Sequence, residues 1–63
     1  MTLVILLYPD GQRREVILAV VPVTGDTILL KGDSKPLVVE HRLLMEANNG
    51  VEPAALISVR PAP

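Results

Sequence analysis

The sequence predicts an all-β fold, a small five-stranded barrel formed by residues 1–63 as a single domain. Apolar segments rich in β-branched residues recur along the chain, and such residues favour strands. Turn-forming groups of Gly, Pro, Asp and Asn separate these segments at roughly the eight- to twelve-residue spacing of small barrels and sandwiches. The longest apolar run, Val16–Val23, contains Pro22 and is far shorter than the roughly 18 residues that a membrane-spanning helix requires.

The first two strands are predicted to form a hairpin. Thr2–Tyr8 is almost entirely apolar, which indicates a strand that is covered on both faces. Pro9-Asp10-Gly11 supplies a turn, because Pro presets φ, Asp bonds the nearby backbone and Gly accepts a positive φ. Arg13–Val21 then returns as the partner strand. Alternation puts two sets of side chains of this first strand on opposite faces, namely Leu3, Ile5 and Leu7 against Thr2, Val4, Leu6 and Tyr8.

The central stretch Val21–Leu30 changes the direction of the chain. Pro22 cannot donate a backbone hydrogen bond and is expected to end the second strand. Thr24-Gly25-Asp26 forms the next turn, and Thr27–Lys31 is predicted as the third strand. Lys31-Gly32-Asp33-Ser34 has the composition of a further turn.

The second half of the chain leaves one alternative open. Leu37–Leu43 is predicted as a strand that extends to about Leu44, with a helical turn or loop at residues 44–48. The alternative is a helix over residues 37–48 with Ser34 as its cap. As a strand, one face would carry Leu37, Val39, His41 and Leu43. A loop at residues 49–53 and a final strand, Ala55–Arg60, complete the prediction.

Small size and high apolar content predict self-association. The chain has 49% hydrophobic residues, no Cys, and Tyr8 as its one aromatic residue. Disulfides are therefore excluded, and domains of this size need additional stabilisation. Both faces of the predicted hairpin are apolar, and large exposed apolar patches are uncommon on monomers. We expect a homo-oligomer, a dimer or tetramer, which also binds a protein partner.

Charge and composition disfavour other partner classes. The net charge of −1 gives no basic footprint for nucleic acid. The N-terminus has no basic residues before its apolar segment, which argues against a signal peptide. We expect a cytoplasmic protein that does not bind membranes.

No residue pattern predicts catalysis, a cofactor or a metal. His41 is the one imidazole, and three of the seven carboxylates, Asp10, Asp26 and Asp33, lie in predicted turns. No glycine-rich phosphate loop is present. We therefore predict a non-enzymatic protein with no catalytic, cofactor-binding or metal-binding residues. The candidate interaction residues are Arg13, Arg14, His41 and Arg42.

Two other hypotheses stay open. A nucleic-acid-binding accessory protein would use the Arg13-Arg14 turn, although such barrels usually offer stacking aromatic residues. An enzyme with its site on an oligomer axis would use His41.

The turn and strand signatures resemble a known group of proteins. They are Pro9-Asp10-Gly11, Val21-Pro22 with Gly25-Asp26, Gly32, Val38-Val39-Glu40-His41 and Ser58-Val59-Arg60-Pro61. Together they resemble small uncharacterised SH3-like β-barrel proteins of bacteria, phages and mobile elements, including integron gene cassettes. The resemblance implies an SH3-like barrel and no established activity.

Overall fold

The computed structural model describes residues 1–46 and 53–63, which form one five-stranded sheet. The strands are β1 (Thr2–Leu7), β2 (Arg13–Leu18), β3 (Thr27–Ile28), β4 (Leu37–Leu44) and β5 (Ala55–Pro61). Their order is β2-β1-β5-β4-β3, and the sheet curls into a half-barrel. The predicted all-β, five-stranded fold is confirmed. The described residues contain no helix, and hence none that is long and apolar enough to cross a membrane.

A tight turn with a glycine bulge joins β1 to β2. The Gly11 amide donates to the Tyr8 carbonyl at 3.0 Å, and the Tyr8 amide donates to the Gln12 carbonyl at 2.9 Å. Gly11 has a φ of 88°, which is the conformation that this three-residue loop requires. The Asp10 carboxylate accepts a hydrogen bond from the Gln12 amide at 2.9 Å. The predicted Pro-Asp-Gly turn is thus present with the expected roles of Asp and Gly.

Strands β2 and β3 are shorter than predicted because each lacks further pairing partners. The β1–β2 ladder ends at the Thr2–Leu18 pair, so β2 stops short of the predicted end at Val21. The β3–β4 ladder ends at the Ile28–Leu37 pair, and the next residue on the β4 side is Pro36. The Asp33 amide donates to the Leu30 carbonyl at 3.1 Å, so the chain turns at Leu30–Asp33 and the predicted strand to Lys31 is cut to two residues.

The core lies inside the curl of the sheet. Strand β5 runs parallel to β1, which aligns Val4 with Ala55 and Leu6 with Ile57. These four side chains are each 0% exposed. We call this concave side the inner face and the convex side, which carries Leu3, Ile5 and Leu7, the outer face. The predicted partition of the β1 side chains is correct. The remaining core residues are Ile28, Leu30, Leu37, Val39 and Val59.

A β-bulge at Glu40 reverses the faces of the second half of β4. Val39 pairs with Val59, but His41 pairs with Ser58, so Glu40 has no partner on β5. One extra residue in a strand shifts the two-residue alternation. The prediction that His41 and Leu43 share a face with Leu37 and Val39 is therefore wrong. His41 and Leu43 lie on the outer face.

The structure also decides part of the open alternative at residues 37–48. Leu37–Leu44 is a strand, and Met45 and Glu46 are not helical. The rest of the predicted turn, residues 47–48, lies outside the described residues, as does the predicted loop at 49–53 except for Pro53.

Candidate functional site

The sheet register places the four candidate interaction residues in two rows that cross β2, β1, β5 and β4. The outer-face row consists of Arg13, Leu7, Ser58 and His41. The inner-face row consists of Arg14, Leu6, Ile57 and Arg42. The two arginines that neighbour each other in sequence therefore point to opposite faces of β2.

These rows keep the candidates apart. Two strands, β1 and β5, lie between β2 and β4, and at about 4.8 Å per strand step the ends of a row are roughly 14 Å apart. The Arg14 guanidinium is 3.7 Å from the Asp33 carboxylate. The four residues are all exposed, but they form no single basic patch or clustered site.

His41 has no neighbouring groups that would make a metal centre. Its outer-face row neighbours are Ser58 and Leu7. Within residues 1–46 and 53–63, no three His, Asp or Glu side chains are grouped so that they could hold a metal ion. The Glu40 carboxylate on the adjacent residue is 3.8 Å from the Arg60 guanidinium. Among the described residues, no side-chain hydrogen bond or ion pair involves His41.

The outer face carries a continuous apolar surface. One cross-strand row joins Ile5, Leu56 and Leu43, and the next pairs Leu3 with Ile17. Ile17 is 65% exposed and Leu43 is 60% exposed, while the three others are half-buried among their neighbours. We call these five residues the outer patch. Every described strand belongs to the same sheet, so no second sheet covers the outer patch.

A second surface lies where the half-barrel fails to close. Strand β2 is an edge of the sheet, and Leu29–Lys31, which belongs to no strand, faces it across an opening. Between them is an open groove of about 510 Å³. Val16, Leu18 and Leu30 lie at its base and belong to the core or pack against it. We call this feature the β2 groove.

The sequence alone did not predict the outer patch or the β2 groove as a distinct site. Apolar residues on both faces of the hairpin were recognised, which is the signal for the outer patch. The β2 groove was missed because Thr27–Lys31 was predicted to be one continuous strand. The Gly32-Asp33 turn signal could have revealed the early end of β3, since the Asp33 amide donates to the Leu30 carbonyl and the turn begins at Leu30.

No protein-family model, curated protein or solved structure matches the chain.

Proposed function

We propose that the protein is a non-enzymatic β-barrel module that self-associates through its outer patch. The observation that carries the proposal is the row Ile5, Leu56 and Leu43, which extends an apolar surface across three adjacent strands. An antiparallel or mixed sheet usually presents alternating polar residues on the face opposite its core. Here the five residues of the outer patch are apolar, and burying them against a second copy removes their apolar surface from water.

The size of the outer patch predicts a modest affinity. Adjacent rows on one face are about 6.8 Å apart and adjacent strands about 4.8 Å apart, so the patch covers on the order of 160–260 Å², the upper figure including side-chain widths. A standard interface buries roughly 800 Å² on each partner, against a total surface of 4458 Å² for this chain. The convex shape of the outer face also limits its contact with a second copy. We therefore propose a dimer with a micromolar or weaker dissociation constant.

The proposal includes an SH3-like interpretation of the barrel. Five short strands, the Gly25-Asp26 turn and the curl of the sheet support it. It also includes the relationship to small proteins of phages and mobile elements, for which the sequence signatures are the support. Self-association would give such a short chain the stabilisation that its small core cannot supply.

Sedimentation velocity from micromolar to millimolar concentration tests the proposal. The wild-type chain should show a reversible monomer–dimer equilibrium. Leu43→Lys should shift this equilibrium to monomer by at least about tenfold, because it places a charge in an apolar contact. Leu43 is 60% exposed, so the substitution should leave the fold intact by circular dichroism.

Val20→Lys is the matched control. Val20 is 71% exposed and lies outside the strands and the outer patch. This variant should dimerise like the wild-type chain. A wild-type chain that stays monomeric at millimolar concentration, or equal effects of the two lysine substitutions, would refute the proposal.

A further inference from the structure

We propose that the β2 groove binds an extended peptide segment of a partner protein as an added strand. The segment would carry aliphatic residues at alternate positions and an acidic residue at the end next to Arg14 and Lys31. Ile17, a member of the outer patch, also lines this groove, so the two surfaces adjoin at that residue.

The free edge of β2 supplies the backbone groups for such pairing. The hydrogen bond from the Tyr8 amide to the Gln12 carbonyl fixes which residues of β2 bond to β1. In an antiparallel ladder, bonded and non-bonded pairs alternate, so Arg14, Val16 and Leu18 face β1. The amides and carbonyls of Arg13, Glu15 and Ile17 consequently point away from the sheet. These three residues are exposed, and a strand edge of this kind is the template for strand addition.

The groove provides an apolar base for alternate side chains. Val16 and Leu18 are half-buried and point to the inner face, and Leu30 is 7% exposed. A strand laid along β2 would point every second side chain towards these residues. Leu29, which is 65% exposed, forms the opposite wall. The added strand would close the gap in the barrel and cover the open margin of the core.

The charges of the groove lie at one end. Arg14 and Lys31 line it at the end where Asp33 approaches Arg14, and Met1 and Leu18 line the other end. Among the ion pairs of the described residues, none involves Lys31. A carboxylate on the peptide would complement this end, and the rest of the groove requires apolar side chains.

The shape of the groove favours a free segment over a second folded copy. The groove has two walls, β2 on one side and Leu29–Lys31 on the other. The β2 strand of another copy is already paired with β1 of its own sheet along one edge. That sheet would have to enter the groove together with the strand. An isolated extended segment has two open edges and fits between the walls.

Titration with synthetic six-residue peptides tests the proposal. The probes are Glu-Thr-Val-Thr-Val-Thr, its reverse Thr-Val-Thr-Val-Thr-Glu, and the same two peptides with Lys in place of Glu, so that the charged residue shares a face with the valines. The protein is the Leu43→Lys variant as well as the wild-type chain, so that self-association and peptide binding are measured separately. At least one Glu peptide should bind in both proteins, and its Lys counterpart should bind about fivefold more weakly, which is the scale of exposed ion pairs.

Charge reversal provides the matched variants. Lys31→Glu should weaken binding of the Glu peptide and strengthen binding of the Lys peptide. Lys35→Glu changes an exposed lysine outside the groove and should change neither by as much. If Lys31→Glu and Lys35→Glu have equal effects, the charged end of the groove is not used and the proposal fails.

Amide hydrogen exchange reports the strand pairing directly. Saturating Glu peptide should slow exchange at Arg13, Glu15 and Ile17, while Arg14, Val16 and Leu18 change little because they already bond to β1. Uniform slowing along β2, or no binding by either Glu peptide at millimolar concentration, would overturn strand addition in the groove.

Discussion

Asp26 and Val39 are joined through their backbones, since the Val39 amide donates to the Asp26 carbonyl at 2.9 Å. The Gly25 amide returns a hydrogen bond to the Val39 carbonyl, also at 2.9 Å. The Asp26 carboxylate accepts from the Val23 amide at 2.9 Å. The turn at Gly25-Asp26 is therefore fixed to a core residue of β4 immediately before the bulge, and its geometry bears on the stability of the whole sheet.

Asp26→Ala should lower the free energy of unfolding by about 1 kcal/mol, the usual contribution of a single hydrogen bond. The substitution removes the acceptor for the Val23 amide but leaves the backbone bonds to Val39 in place. Urea denaturation measures the change. Asp33→Ala is the control, because its carboxylate makes an exposed ion pair at 3.7 Å, which contributes about 0–1 kcal/mol. Equal losses in the two variants would contradict the role of the Asp26 carboxylate.

Gly25 should respond oppositely to L- and D-alanine. Its φ is 95°, and an added Cβ would meet nothing within 4 Å. L-alanine should therefore cost about 1–2 kcal/mol through backbone strain alone. D-alanine adopts this φ without strain and restricts the unfolded chain, so it should stabilise by about 0.4–1 kcal/mol. Thermal unfolding of chemically synthesised chains compares the two, and destabilisation by both would rule out the positive φ as the cause.

Ile57→Ala should remove a large part of the stability. Ile57 is 0% exposed on β5 beside Leu6, and truncating a buried Ile to Ala costs about 2–5 kcal/mol. A domain of 63 residues has only about 3–9 kcal/mol in total at the usual stability per residue. Denaturant unfolding should show a free energy of unfolding lowered by about 2–5 kcal/mol relative to the wild-type chain. Leu44→Ala, at a 60% exposed site, should cost less than about 0.5 kcal/mol.

Nucleic acid should bind weakly at most. Because Arg13 and Arg14 point to opposite faces and Arg42 lies three strands away, few phosphates can be contacted together. Fluorescence anisotropy with a labelled single-stranded oligonucleotide should show no saturation at physiological salt. At low salt, two contacts give a slope of about −1.4 in a plot of log K against log salt. Tight binding with a much steeper slope would restore the nucleic-acid hypothesis.

The sequence predicted those features that depend on local chemistry. Gly11, Gly25 and Gly32 all lie in the predicted turns with positive φ, because only Gly takes that conformation without strain. The two faces of β1 were also assigned correctly, since alternation within one strand needs no knowledge of its partners.

The features that depend on pairing between distant strands could not be predicted. The parallel alignment of β1 with β5 joins the two ends of the chain, and no local signal specifies it. The bulge was hidden because Leu43 and Leu44 are both apolar, so either could have faced the core. The candidate interaction residues were chosen by side-chain type, and their separation appeared only with the register.

Because Glu40 has no partner, the alternation of side chains between the two faces shifts by one residue along β4. Side chains of β4 alternate between the two faces in step with their β5 partners, and Glu40 is the one residue of β4 that has no partner on β5. Loss of Glu40 would leave every other pair of β4 and β5 in its present phase. Loss of Val38 or Arg42 would instead invert the side chains between the deletion and the bulge. A one-residue deletion in β4 is therefore compatible with the barrel at the bulge and incompatible with it elsewhere in the strand.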